Sequence, residues 1–152
     1  MNKTIVLARI FFSAIFLFSG LSHFTTATQQ YAMSQGIAPW LTMASGTLAF
    51  IGGLMIATGL RARIGGALVA AFLIPVTLSM HRFWAVADAA AAQEQMIHFM
   101  KNLSMLGGAL AFMTFGSGPY SLDSLFHKRS MTPNEILFEA QRRHRPTTAG
   151  RG

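Results

Sequence analysis

The sequence predicts an all-α fold: an integral membrane four-helix bundle with a short amphipathic C-terminal cytoplasmic helix. Two observations lead to this prediction. Hydrophobic residues make up 52% of the 152 residues and charged residues only 11%, against roughly 25% charged in a typical soluble domain. The apolar residues are also gathered in four runs, at 5–21, 40–60, 64–80 and 97–115. At about 1.5 Å per residue, each run is long enough to cross the core of a bilayer.

The four runs are interpreted as membrane helices that pack closely. The first run contains Arg9 and is not followed by an A-x-A-like cleavage site, so we interpret it as a helix rather than a signal peptide. Small residues let helices approach each other in lipid. The glycine pairs of the later runs are therefore predicted to be packing points, and they are Gly52-Gly53, Gly65-Gly66 and Gly107-Gly108.

The chain divides into a membrane domain and a tail. Residues 1–125 form the predicted four-helix domain, and the run GSGP at 116–119 ends its last helix. Residues 126–152 form a basic tail. Within this tail, TPNE at 132–135 is typical of a helix start, with a capping Thr, a proline at the first helical position and a glutamate that closes a capping box. We therefore predict a short helix at about 133–144 and a disordered end.

The basic residues indicate how the helices cross the membrane. Lys and Arg total 12 against 5 Asp and Glu, a formal net charge of +7. Most lie before the first run, between the second and third, or after the fourth, whereas the opposite connections, at 23–39 and 81–96, contain only Arg82. Because cytoplasmic loops are enriched in Lys and Arg, we expect both termini to be cytoplasmic. No basic and aromatic pattern points to a nucleic acid partner.

The predicted topology brings several polar residues to the outer end of the bundle. His23 ends the first helix there, His81 ends the third and His98 begins the fourth. Lys101 and Asn102 follow His98 at helical spacing, so these three residues share one face. The five side chains are candidate ligand-binding residues, and together they predict a polar pocket at this end.

Arg9 lies inside the first run and needs a separate explanation, since a charge in hydrocarbon is costly. One interpretation is that its side chain extends to lipid phosphates, because it lies about one helical turn inside the cytoplasmic boundary. The other is that it organises the cytoplasmic half of the bundle. Arg9 is thus an intramembrane polar residue with either a structural or a functional role.

A quinone head group fits the predicted pocket better than a metal does. Its carbonyl oxygens need donors in an apolar site, such as a His N–H, the Lys101 ammonium or the Asn102 amide. Three histidines can also ligate copper or haem iron, and four methionines lie near this end, but the lysine ammonium repels a cation. We therefore predict no metal site, with haem or copper as the weaker alternative. The same side chains also fit a structural role, capping helices and hydrogen-bonding water at the membrane edge.

Several short motifs occur in an order that resembles the DoxX family of small four-helix bacterial membrane proteins, over about residues 5–125. They are Arg9 in the first helix, SGLSHF at 19–24, GGL at 52–54, GLRAR at 59–63, His81, KNLSMLGG at 101–108 and GSGPYSLD at 116–123. The resemblance implies a protein of the bacterial cytoplasmic (inner) membrane. It also implies that Arg9, Lys101 and Asn102 are the recurrent polar positions.

The family takes its name from a subunit of a thiosulfate:quinone oxidoreductase. The resemblance therefore implies a small membrane subunit or anchor of an inner-membrane redox assembly, in contact with quinone. Its partner would be a soluble or membrane oxidoreductase or a sulfur-handling enzyme. A non-catalytic scaffold that recruits soluble partners, and a small-solute or metal permease, are the alternatives. No catalytic triad, carboxylate pair or phosphate-binding loop is visible in the sequence, and whether the chain is an enzyme stays open.

Overall fold

The computed structural model describes residues 3–130, with side chains through residue 126, and the regular structure of this part is entirely helical. The predicted all-α fold is therefore confirmed. The α-helices are α1 (Thr4–Ser22), α2 (Thr26–Ser34), α3 (Pro39–Thr58), α4 (Ala62–Met80), α5 (Ala89–Phe115) and α6 (Leu122–Ser130), and a 3-10 turn lies at Phe83–Ala85.

Among the described residues, three helical segments are long and apolar enough to cross a membrane: α1, α3, and α4 with the turn that follows it. The fourth predicted span lies within α5, the longest helix at 27 residues. Lys101 and Asn102 lower the hydropathy of this helix. α5 is about 40 Å long, which is sufficient to cross a bilayer, but it is not among the three segments that are also apolar enough, so its crossing of the membrane stays a prediction.

The four long helices run up, down, up and down. α1 packs against α3, α3 against α4, and α4 against α5. α1 and α5 meet through aromatic side chains, since the Phe12 ring lies 5.2 Å from that of Phe112. The most deeply buried apolar side chains fill the centre, and they include Phe16, Ile56, Val69 and Leu73.

This arrangement gives the bundle two ends with different residues. We call one the histidine end, because it holds His23, His81 and His98 together with α2. The other is the closing end, which holds the turn between α3 and α4 and the segment 116–123 after α5. The predicted gathering of the three histidines at one end agrees with the helix directions.

Most of the predicted glycine packing points are confirmed. A Cβ added to Gly52 or to Gly65 would lie 2.9 Å from the carbonyl oxygen of the other glycine, so α3 and α4 touch backbone to backbone. A Cβ on Gly66 would lie 2.6 Å from the Ala109 carbonyl oxygen of α5. The prediction is wrong for Gly107, which is exposed and has nothing within 4 Å of that position. The rotation of α5 turns Gly108 inward instead.

The connections contain helices that the apolar runs do not predict. In the 23–39 connection, Thr25 begins α2 by accepting a hydrogen bond from the Thr28 N–H. In the 81–96 connection, Asp88 accepts from the Ala91 N–H at 2.8 Å and begins α5 eight residues before the apolar run. α6 follows the closing segment. The predicted helix at 133–144 lies outside the described residues.

Candidate functional site at the histidine end

The histidine end contains a cavity of about 380 Å³. Four membrane helices and α2 form its walls, so it lies within the bundle and beneath a helical cap. Most of the lining is apolar, with Phe16, Phe72, Leu73, Val76 and Met105 at its base. The lining also contains four of the five candidate ligand-binding residues: His23, His81, Lys101 and Asn102.

Asn102 is the most informative residue of the wall. It lies one turn inside the apolar part of α5 and is only 7% exposed. Its side-chain amide makes no hydrogen bond to any described residue, and its polar atoms are not among those closed off inside the protein, because they face the cavity. The amide therefore presents two donors and an acceptor to the cavity.

Lys101 and His98 form a pair one helical turn apart on α5. The Lys101 Nζ donates to His98 Nδ1 at 3.0 Å. An ammonium group has no lone pair, so Nδ1 of His98 is the acceptor in this contact. His98 is not among the residues of the cavity wall. Its described contacts are with Lys101 and the His81 ring, and its direct contact with a ligand stays a prediction.

His81 and His98 are brought together from α4 and α5. Their rings stack with centroids 5.2 Å apart and planes inclined by 21°. His81 Nδ1 donates to the Gln95 side-chain oxygen at 2.9 Å, which leaves Nε2 of the neutral ring as an acceptor. Gln95, His81, His98 and Lys101 are therefore linked by two hydrogen bonds and one ring stack, and the two imidazoles share no hydrogen bond.

His23 has both a structural contact and a position on the wall. Its Nδ1 donates at 2.6 Å to the Ser19 carbonyl oxygen, which also accepts the His23 backbone N–H and the Ser22 hydroxyl at the end of α1. The ring also packs edge-on against Phe72 with centroids 5.7 Å apart. In neutral His23 the Nε2 atom is therefore a hydrogen-bond acceptor.

Arg9 lies far from the cavity, at the closing end. It is 2% exposed, and its guanidinium donates to the carbonyl oxygens of Ser117 at 2.9 Å and Tyr120 at 2.6 Å. The side chain points into the protein, so the interpretation that it extends to lipid phosphates is wrong. Its Nε and the Ser13 hydroxyl are buried without a partner among the described residues.

A carboxylate that the sequence analysis did not single out completes the closing end. The two oxygens of Asp123 accept the Arg61 backbone N–H at 3.0 and 2.9 Å, and one of them also accepts the Ser117 hydroxyl. The Asp123 N–H in turn donates to the Gly59 carbonyl oxygen at 3.2 Å. The only sequence signal for this carboxylate is the family motif at 116–123, because Asp123 lies about sixty residues after Gly59 and Arg61.

The chemistry of the histidine-end cavity is that of hydrogen bonding in an apolar site. Within residues 3–126, no group of three or more His, Asp or Glu side chains is placed to hold a metal ion. Lys101 and Asn102 supply donors, and His23 and His81 supply acceptors on the same wall. Such a site suits a flat ligand with an apolar body and polar oxygen atoms.

The fold and the cavity define a multi-pass membrane helix bundle with a mostly apolar cavity, lined in part by polar side chains, at its histidine end. The DoxX family model matches residues 4–82. The inner membrane protein YqjF of Escherichia coli (strain K12) is 30% identical over 127 residues, which cover 82% of this chain and 93% of that protein. No solved structure matches the chain. The chain belongs to the DoxX family, and these matches support a multi-pass protein of the bacterial inner membrane.

Proposed function

We propose that the protein is a small subunit or anchor of an inner-membrane redox assembly, and that its histidine-end cavity binds a quinone head group. The observation that carries this proposal is the side-chain amide of Asn102. The Asn102 residue is nine-tenths buried, its amide has no hydrogen-bond partner among the described residues, and it lines a cavity whose surface is mostly apolar. A ligand with a carbonyl oxygen would satisfy it.

The arrangement of donors and apolar surface supports a quinone in particular. In this proposal the Lys101 ammonium and the Asn102 amide donate to one carbonyl oxygen, while Phe16, Phe72 and Met105 contact the ring. A cavity of about 380 Å³ lies within the range of small-molecule sites. The apolar tail of the ligand would extend towards the surrounding lipid.

Lys101 gives this site a proton donor. Conversion of a quinone to a quinol takes up two electrons and two protons. In the proposal the electrons come from an oxidoreductase partner. Lys101 donates one proton to the quinone oxygen that it contacts and regains a proton from water at the membrane surface, and the other quinone oxygen takes its proton directly from water. His23 accepts a hydrogen bond from the quinol hydroxyl through its Nε2 atom.

The binding test uses the full chain in neutral detergent and a short-tailed ubiquinone. Loss of one hydrogen bond to a charged group costs about 1.5–3 kcal/mol, so Lys101→Met should weaken binding by roughly 10- to 150-fold. Asn102→Leu should weaken it by a smaller factor while leaving the thermal unfolding midpoint unchanged or higher, because the amide makes no hydrogen bond within the described protein and Leu is apolar. The control Arg82→Met removes an exposed cation from the same end and should bind as the wild type does. Equal affinity in all four proteins would refute the proposed site.

The assembly is tested by a second experiment. The tagged chain is purified from its native membrane in mild detergent, and the proteins that remain bound are identified by mass spectrometry. The proposal predicts an oxidoreductase or a sulfur-handling enzyme among them. Recovery of the chain by itself would contradict the subunit role. Whether the cavity binds quinone is decided separately by the binding test.

A further inference from the structure

The closing end contains a second cavity, also of about 380 Å³, which plays no part in the proposed quinone site. It lies between the first turn of α4 and the glycine-rich segment that follows α5. Arg61 and Arg63 form its basic side, and Phe115 and Ile64 form its apolar side. The backbone of 116–118 and Asp123 complete the lining.

The arginines of this cavity have no anionic partner among the described residues. Asp123 is the acidic residue of the lining, and both its oxygens already accept the Arg61 backbone N–H. Neither guanidinium makes a hydrogen bond or an ion pair with any residue from 3 to 126. The Arg63 side chain instead lies over Gly116, with Nε 3.4 Å from where a Cβ of that glycine would be. Two guanidinium groups therefore flank the cavity, and their donors have no partner within residues 3–126.

The apolar side of the cavity distinguishes a lipid from a free anion. Phe115 is 81% exposed and Ile64 is 48% exposed, and both lie at the end of membrane helices. A free phosphate ion would gain nothing from these two side chains. An amphiphile would use them, because its acyl chains continue past Phe115 and Ile64 into the bilayer while its charged group stays at the level of the arginines.

We propose that this cavity binds the phosphate group of an anionic phospholipid. Arg61 and Arg63 hold the phosphate oxygens through paired N–H donors, the geometry that guanidinium groups provide for phosphates. The glycine-rich segment supplies the opposite wall, and Phe115 and Ile64 contact the start of the acyl chains. Basic pockets between membrane helices are a recurrent form of such lipid sites.

The test measures lipid affinity for the purified full chain in neutral detergent, by native mass spectrometry. The probes are phosphatidylglycerol, phosphatidylcholine and inorganic phosphate. Each basic residue near an anionic lipid contributes about 1 kcal/mol, so the double change Arg61→Gln and Arg63→Gln should weaken phosphatidylglycerol binding by about 30-fold. Arg63→Gln alone should weaken it by about fivefold, which keeps the test valid if the double variant does not fold.

Two matched controls separate a site from a general effect of charge. The double change Arg142→Gln and Arg143→Gln removes the same charge from the tail and should leave phosphatidylglycerol affinity unchanged. The double change of Arg61 and Arg63 to Lys keeps the charge but loses the paired donors, and should fall between the wild type and the Gln variant. Equal affinity for phosphatidylcholine, an equal loss in the tail control, or displacement of the lipid by an equal concentration of inorganic phosphate would overturn the proposal.

Discussion

The contacts of Arg9 predict how much the free energy of unfolding falls when this side chain is replaced. Arg9→Met keeps an unbranched apolar stem but shortens the side chain and removes both donors, so the Ser117 and Tyr120 carbonyl oxygens lose hydrogen bonds of 2.9 and 2.6 Å. A buried carbonyl without its partner costs about 1–3 kcal/mol. Part of this cost is recovered because the unpartnered Nε is removed as well. We therefore expect the free energy of unfolding to fall by about 2–4 kcal/mol.

The assay is unfolding of the purified full chain in neutral detergent, followed by circular dichroism. Arg63→Met is the matched control, since it removes an exposed arginine at the same end of the bundle. The segment 116–123 should also become easier to cleave with protease in Arg9→Met, because its carbonyls are held by that side chain. Unfolding at the same temperature in Arg9→Met and the control would refute the reasoning.

Three further predictions concern packing, capping and the tail. Gly52→Ala should destabilise the bundle by about 1–3 kcal/mol, because its Cβ would lie 2.9 Å from the Gly65 carbonyl oxygen. Gly107 has open space around it, so Gly107→Ala should unfold at the wild-type midpoint or above. Equal midpoints for the two variants would contradict the helix packing. Asp123→Ala should lower the free energy of unfolding by about 1–2 kcal/mol, as loss of a helix cap does, and no change in a denaturation curve would contradict its contact with Arg61. Deletion of 131–152 should leave the membrane partners found by co-purification unchanged, whereas the scaffold alternative predicts that soluble partners are lost.

The fold was largely predictable because a membrane limits the structures that a chain can adopt within it. Apolar runs long enough to span a bilayer are visible without any tertiary contact, and the helix directions then bring the three histidines to one end. The start of α5 could also have been found, since Asp88 is a good helix cap and the alanines after it have the highest helix propensity. α2 has no such apolar signal and depends on the cap at Thr25.

The contacts that complete each site could not be read from local patterns. Arg9 contacts carbonyl oxygens that are 108 and 111 residues away. The sequence therefore showed that a charge in this apolar run is costly, but it could not show which groups bind that charge. The rotation of α5 about its axis decided that Gly108 packs inward while Gly107 does not. The same rotation places Asn102 on the cavity wall and leaves His98 outside the wall, in contact with Lys101. Such rotations are set by packing against several helices at once.

The quinone site is tested most directly by photolabelling of the purified full chain with an azido-quinone, followed by mapping of the labelled peptides. We expect labels on the cavity walls, in the stretch 98–105 of α5 and the stretch 76–81 at the end of α4, and loss of these labels when unlabelled ubiquinone is added in excess. Labels confined to the lipid-facing side of α1, around Phe11 and Phe18, or labels that excess ubiquinone does not remove, would contradict a quinone site in this cavity.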